Sequence, residues 1–431
     1  MRIAPRRERL RSQAPCLMLA VWACAAGAAS HAQTEAPSPS FPSDDPPLQE
    51  REQITGGWWG ARDRLAAAGL TFDPFVVVDF SKNTRGGADT EGSALRHLLS
   101  LNMSADFDAM FGLTGGSAYI DFHQQAGQLG SDEVGDWQWV GSWDADGLTQ
   151  VSELWCQQEL FEGALRIKAG KIDANYEFAY TDLGWQFVHG SSSYPATNAL
   201  MTTYPEPATG ACLFVYPDDA WSFGAGLFDG AAGEGIRTGG RGPATFFGDP
   251  ADLYLIAEVG LAWGSGEGGR PGRVGVGAWR HTGSFERWDG GMEGGTNGLF
   301  LVVDQMIWVE EPAPEGEVPV LAQGVGAYVQ YDRADPDVLD LAQHFGIGAT
   351  WRGAISGRDD DVAGIGASLV QFTDAEAAGY ADEPEAALEA FYRVQVTPGA
   401  SVQPYAQFIY NPGGAGLDNA VNLGFRVEVA F

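Results

Sequence analysis

The chain has 431 residues, with 25 Lys and Arg against 57 Asp and Glu, a formal net charge of −32, 45% hydrophobic residues, 12% aromatics and 59 Gly. So much apolar and aromatic side chain excludes a disordered polyelectrolyte, and such an excess of acid, with no basic run beyond residue 11, excludes a nucleic-acid-binding surface. Abundant Gly beside aromatics points to many extended segments joined by tight turns.

At the N-terminus, Arg2, Arg6, Arg7, Arg9 and Arg11 precede an uncharged, mostly apolar run from Cys16 to Ala29, and then Ser30, His31 and Ala32. This is the pattern of a cleaved secretory signal over residues 1–32, with an apolar stretch too short to span a bilayer. Its removal takes away five Arg and one Glu, so the exported chain is more acidic still. Cys16 and Cys24 leave with it, and the remaining pair, Cys156 and Cys212, is not a disulfide scaffold. Whether those two pair depends on a separation that sequence does not give.

Residues 33–53, rich in Pro, Ser and acids, read as a flexible arm. The remaining 54–431 read as one β-barrel domain. It opens with a short helix over Trp58–Leu70, ended by Gly69 as a C′ glycine, expected at the periplasmic mouth. From there the recurring period is two. Val421, Leu423, Phe425, Val427, Val429 and Phe431 share one face of the last segment, and Asn422, Gly424, Arg426 and Glu428 the other. The same alternation runs through Leu99–Phe107, Leu253–Trp263 and Phe345–Trp351.

About sixteen strands of membrane-spanning length follow, near 71–80, 95–107, 116–125, 149–160, 163–172, 207–217, 219–228, 252–263, 272–281, 298–309, 321–331, 343–352, 361–373, 388–397, 400–411 and 419–431. Long connections (126–148, 173–206, 229–251, 282–297, 374–387) alternate with tight ones at Phe161–Gly163, Pro217–Asp219 and Pro398–Gly399. Only the Pro-rich 310–320 is longer than the alternation prefers. No run of about 18 apolar residues follows the signal, and an exported chain without such a helix crosses a membrane only as a closed barrel. The fold class read from these features is an all-β, transmembrane antiparallel β-barrel in the bacterial outer membrane. The terminal Phe431 is the expected contact for the barrel assembly machinery.

Enzyme motifs are absent: no Gly-x-Ser-x-Gly elbow, no His-Glu-x-x-His, and no phosphate loop around Gly170–Lys171. His97, His123, His189, His281 and His344 lack metal-ligand spacing. Asp144/Asp146 and Asp359–Asp361 do not complete a calcium loop. Neither a cofactor nor a metal is expected.

The informative stretch is 155–177. If Leu165, Ile167 and Ala169 face lipid, then Arg166 and Lys168 face the lumen, as do Trp155, Gln157 and Glu159 on the preceding strand. With Lys171, Asp173, Asn175 and Glu177 these residues form the candidate pore-lining set. Carboxylates accept from and cations donate to hydroxyls, while an aromatic face packs on a sugar ring, which suits a neutral polyhydroxylated solute. The same cations could equally balance an acidic lumen and set ion selectivity; parity leaves both readings open, and one bulge would invert an assignment.

Three groups of residues carry a resemblance to a known family. They are Ile54–Arg62 with Gly69–Phe72; Leu154–Gln158 with Leu165–Phe178; and Gly357–Asp361, Tyr392–Pro398 and Gln403–Gly414. In these the chain resembles the OprB-type carbohydrate-selective porins over nearly all of its exported length. The resemblance implies a sixteen-strand outer-membrane barrel whose inward-folded loops, here 126–148 and 173–206, narrow the pore. It implies passive diffusion of mono- or small oligosaccharides, with sugars and outer-membrane lipid as partners. Cys156 stands where the family carries an aromatic, which leaves its facing open. A general or cation-preferring porin is the alternative, and a monomer and a trimer are both compatible with the sequence.

Overall fold

The computed structural model describes residues 45–431 except 239–241, 249, 250, 267, 315, 381 and 382. The segment read as a signal, 1–32, and the part of the arm up to residue 44 lie outside the described residues. In chain order the strands are β1 (Leu70–Phe72), β2 (Phe75–Arg85), β3 (Ala94–Asp106), β4 (Gly116–Gly127), β5 (Leu148–Leu160), β6 (Leu165–Ile172), β7 (Ala208–Val215), β8 (Trp221–Asp229) and β9 (Leu253–Trp263). They continue with β10 (Gly272–Glu286), β11 (Met292–Glu311), β12 (Gln323–Ala334), β13 (Leu341–Arg352), β14 (Val362–Phe372), β15 (Glu385–Thr397), β16 (Ala400–Tyr410) and β17 (Ala420–Ala430).

Strands β2 to β17 pair with their chain neighbours, antiparallel throughout, and β17 pairs back on β2 from Val421↔Arg85 to Ala430↔Phe75. The sixteen-strand sheet is therefore closed, and closure leaves no row of unpaired backbone groups facing hydrocarbon. Residue parity sets the two faces. On β13, Phe345, Ile347 and Trp351 point outward at 44–45% exposure while His344 is buried. On β17, Leu423 and Phe425 point outward while Asn422 and Arg426 are buried inside. Trp221, Trp263, Trp308 and Trp351, all exposed, stand outward at the strand ends nearest the short turns and form an interfacial aromatic belt.

Three sequence expectations change. The first strand does not run over 71–80: it breaks at Asp73–Pro74, because Pro74 has no N–H to give the ladder. β1 extends the row on β3 (Leu70↔Ala105), and β2 then carries on to Arg85. The break is used, since the Asp73 carbonyl accepts from Asn102 Nδ2 (2.7 Å) and the Pro74 carbonyl from Phe431 N (2.8 Å). The long loop expected over 282–297 is instead a protruding hairpin, because β10 and β11 continue past a bulge between His281 and Ser284 to a turn at 287–291. The helix expected from Trp58 covers only Ala61–Ala67, since Trp58, Trp59 and Gly60 take positive φ (51°, 56° and 75°); Gly69 at φ 84° is the C′ residue foreseen.

The helix lies at the rim that carries the first described residues and Phe431. Arg62 donates to the Phe72 carbonyl (2.6 Å) and the Phe431 oxygen (2.7 Å), Ile54 N donates to Ala430 O (2.9 Å), and Gly399 N donates to Arg51 O (3.0 Å). The tail of the acidic arm is thereby tied to the β15–β16 turn. The first described residues, Phe431 and the short turns share this rim, which in outer-membrane barrels is the periplasmic one.

Across the closing seam, Arg426, Asp79 and Arg96 are register partners on β17, β2 and β3. Arg426 makes two 2.8 Å bonds to the Asp79 carboxylate, and Arg96 pairs with Asp79 (3.6 Å) and with Asp144 of the β4–β5 connection. All four are buried. Removing Asp79 leaves the buried Arg426 guanidinium without its ion-pair partner, so Asp79→Ala is expected to destabilise the barrel by about 3–5 kcal/mol. Denaturant unfolding in detergent micelles measures this, and Asp79→Ala with Arg426→Met should recover part of the loss.

Candidate functional site

Two connections at the far rim, 128–147 and 173–207, turn back into the barrel. Backbone N–H groups there have no ladder partner and need acceptors. The wall supplies carboxylates. Asp304 of β11 accepts from Asp182 N (3.1 Å) and Leu183 N (3.0 Å), and Glu389 of β15 from Val188 N (2.8 Å) and His189 N (2.7 Å). Asp332 of β12 accepts from Thr197 N (2.8 Å) and its hydroxyl (2.6 Å), and Glu258 of β9 from Ala179 N (2.8 Å). Glu385 of β15 accepts from Trp137 N (2.9 Å), Gln138 N (3.1 Å) and Gly413 N (2.6 Å), and Glu153 of β5 from Asp173 N (3.0 Å). Each is a charge-assisted bond between an inward strand position and a loop amide.

Apolar packing fills the spaces between these anchors. Phe178 and Ala179 pack with Phe214, Phe228 and Ile256, and Leu183, Phe187 and Val188 with Tyr328, Phe391 and Tyr405. Burying a side chain such as Phe187 in this way contributes about 1.5–3 kcal/mol. His189 is enclosed in the same packing, and burial pushes its imidazole down to about 3, so it stays neutral.

The folded-in connections leave a cavity of about 340 Å³. Its aromatic lining is Trp137, Trp139, Trp143, Tyr176, Trp185, Tyr194 and Tyr204, interspersed with Gln138, Asn175, Thr197 and Glu206. Tyr176 and Trp185 stack at 5.3 Å, and Trp143 meets Tyr204 edge-on at 5.0 Å. A second cavity of about 470 Å³ shares Trp139, Pro205, Glu206 and Ala232 with it and is lined by Asp132, Asp136, Asp144 and Asp146, with Arg237 as its cation.

Of the residues singled out from sequence, Trp155, Gln157, Arg166, Lys168 and Glu177 come together. Glu177 accepts from Arg166 (2.7 Å) and from Lys168, and Lys168 lies 3.7 Å from the Trp155 ring centre. Arg166 stacks on Phe214 (4.4 Å) and reaches Gln157 (3.4 Å), which bonds Glu159 (3.2 Å) toward the β5–β6 turn. Tyr176, beside Glu177 in the chain, links this cluster to the aromatic cavity.

Lys171 is held apart, donating to Gln150 (2.9 Å) and the Val151 carbonyl (2.7 Å). Simple parity turns it outward, and no register shift interrupts β6 against β5 or β7, yet its long side chain is buried beside the register shift of β4–β5. Asp173 holds its own loop by accepting from Asn175 N, the Thr203 hydroxyl and Tyr204 N (2.6–2.9 Å), while Asn175 donates to Phe178 O (3.2 Å) and lines the cavity. Cys156 faces outward opposite Ala169, and Cys212 is buried inside; both are free thiols. The loop tryptophans and tyrosines were not singled out from sequence, and their high density in 137–143 and 176–204 was the available signal.

A closed barrel with an apolar outer band and a lumen narrowed by inward-folded segments is a pore of the porin class. The profile of the carbohydrate-selective porin, OprB family, matches residues 90–431, and the chain belongs to that family. It is a sugar-selective porin of the bacterial outer membrane. Porin B of Pseudomonas aeruginosa is 22% identical over 466 aligned positions covering 96% of each chain. The high-pH structure of Pseudomonas putida OprB superposes with a TM-score of 0.78 at 18% identity, over 89% of this chain and 99% of that one. Its low-pH structure gives 0.58 at 16% identity over the same shares.

Glu389→Ala removes the acceptors of two loop amides. Hydrogen exchange followed by mass spectrometry should show the peptide spanning 183–193 losing protection by about tenfold or more, with exchange across the strands of the wall little changed.

Proposed function

We infer that the pore passes neutral mono- or small oligosaccharides, glucose-like in size, by passive diffusion, and that it selects them in two successive zones. The observation that carries this reading is the 340 Å³ slot in which aromatic faces alternate with amides and hydroxyls. Rings of this kind stack on the apolar faces of a pyranose, while the half-buried Ser142 hydroxyl and Glu206 carboxylate on the same lining exchange hydrogen bonds with its rim hydroxyls. Past Tyr176 the solute meets Arg166, Lys168 and Glu177, with Trp155 behind them. The paired charges offer donors and acceptors together, which suits the hydroxyls of a neutral polyol.

Binding in such a pore has to be weak enough to release the solute, and transport needs only a gradient. Gln157 and Glu159 extend the polar track to the periplasmic exit. Lys171, Asp173 and Asn175 act by holding the loop ends that shape the slot. A second reading, cation-preferring diffusion, is favoured by the acidic cavity beside the slot.

Single-channel conductance in planar bilayers, with glucose, maltose and succinate titrated in turn, separates the two. The sugar reading predicts saturable, sugar-dependent closure, weakened several-fold in Tyr176→Ala and in Arg166→Ala, with no closure by succinate. Cation-selective current indifferent to every sugar would overturn it.

A further inference from the structure

The outward face of the barrel carries a polar row where hydrocarbon gives way to head groups at the far rim. Arg333 on β12, Gln343 on β13 and Gln371 on β14 are successive register partners, and Leu299 on β11 completes the row. Arg280 on β10 stands opposite Asn297, two residues beyond Leu299 toward the rim. Strand spacing and rise put the Arg280 and Arg333 backbones about 12 Å apart, close enough for two long side chains to converge on one head group. Both arginines are exposed. Arg280 reaches only the Gly294 carbonyl (3.2 Å), and among the described residues neither makes an ion pair.

In a chain with 57 acids against 25 cations, two guanidiniums aimed outward without a carboxylate partner are available to a negative group from elsewhere. Directly toward the membrane lie Val276, Phe345 and Ile347, at 54%, 45% and 44% exposure, a surface suited to acyl chains. Charge above and apolar surface below define an amphiphile with an anionic head. Guanidinium forks match phosphate oxygens in pairs, and the row's amides can bond hydroxyls beside them. We propose that Arg280 and Arg333, with Gln343 and Gln371, form a binding site for a phosphate-bearing glycolipid of the outer leaflet. This site is independent of which solute the pore conducts.

Native mass spectrometry of the detergent-solubilised barrel, with bis-phosphorylated lipid A as the probe, tests the assignment. The wild type should retain bound lipid A. The double variant Arg280→Ala/Arg333→Ala, which leaves the lumen untouched, should bind about tenfold or more weakly, and the charge-retaining Arg280→Lys/Arg333→Lys should bind in between. Unaltered sugar-dependent conductance of the double variant verifies that the barrel is intact. Equal retention by wild type and double variant, or equal binding of lipid A stripped of its phosphates, would overturn the proposal.

Discussion

Carboxylates on inward strand positions, accepting hydrogen bonds from the backbone amides of two chain segments, are the interaction on which the lumen depends. A barrel of sixteen strands encloses more space than its own side chains fill. The chain fills it with 128–147 and 173–207, whose amides would otherwise be buried without partners. Asp304, Asp332, Glu258, Glu385 and Glu389 stand on four different strands, so the inserted segments are tied around much of the wall. An unpaired amide and an unpaired carboxylate are both expensive where they are buried, and each relieves the other. This gives the constriction one shape and places its aromatic side chains.

The acidity of the chain takes on a particular meaning in this light. Many of its acids are not a field displayed to ions but fasteners, neutralised in effect by the dipoles that they hold. The cations are distributed in the same way. Arg426 and Arg96 fasten the seam to Ser142 and Asp144, and Arg273 of β10 ties the Tyr180 carbonyl to Glu258 of the adjacent β9. Arg166 and Lys168 share Glu177 at the edge of the open path. A slot bounded by aromatic faces, with Arg166, Lys168 and Glu177 paired beyond it, suits a ring of hydroxyls.

The wall was legible in the sequence because alternation follows directly from a sheet with lipid on one side. Phe345, Ile347 and Trp351 could point only outward once His344 and Thr350 were placed inward. The cluster of Trp155, Arg166 and Lys168 was reachable by the same parity. Parity did not foretell Lys171, whose long side chain is buried beside the register shift of β4–β5. The partners of Glu389 and Asp304 were not legible, because they lie more than 100 residues away in segments with no period. The extended β10–β11 hairpin was hidden for a related reason: Gly283, Gly290, Gly291, Gly294 and Gly295 give no face to read.

Liposome swelling compares most directly what the fasteners do for selection. Vesicles holding wild type or the triple variant Asp304→Ala/Glu385→Ala/Glu389→Ala would be followed in glucose, maltose and raffinose. If the carboxylate anchors hold the selective slot, the wild type admits glucose far faster than raffinose, and the variant, folded but with its inserted segments released, admits the three at rates set by size alone. A variant that kept the wild-type order and ratio of rates would contradict the account.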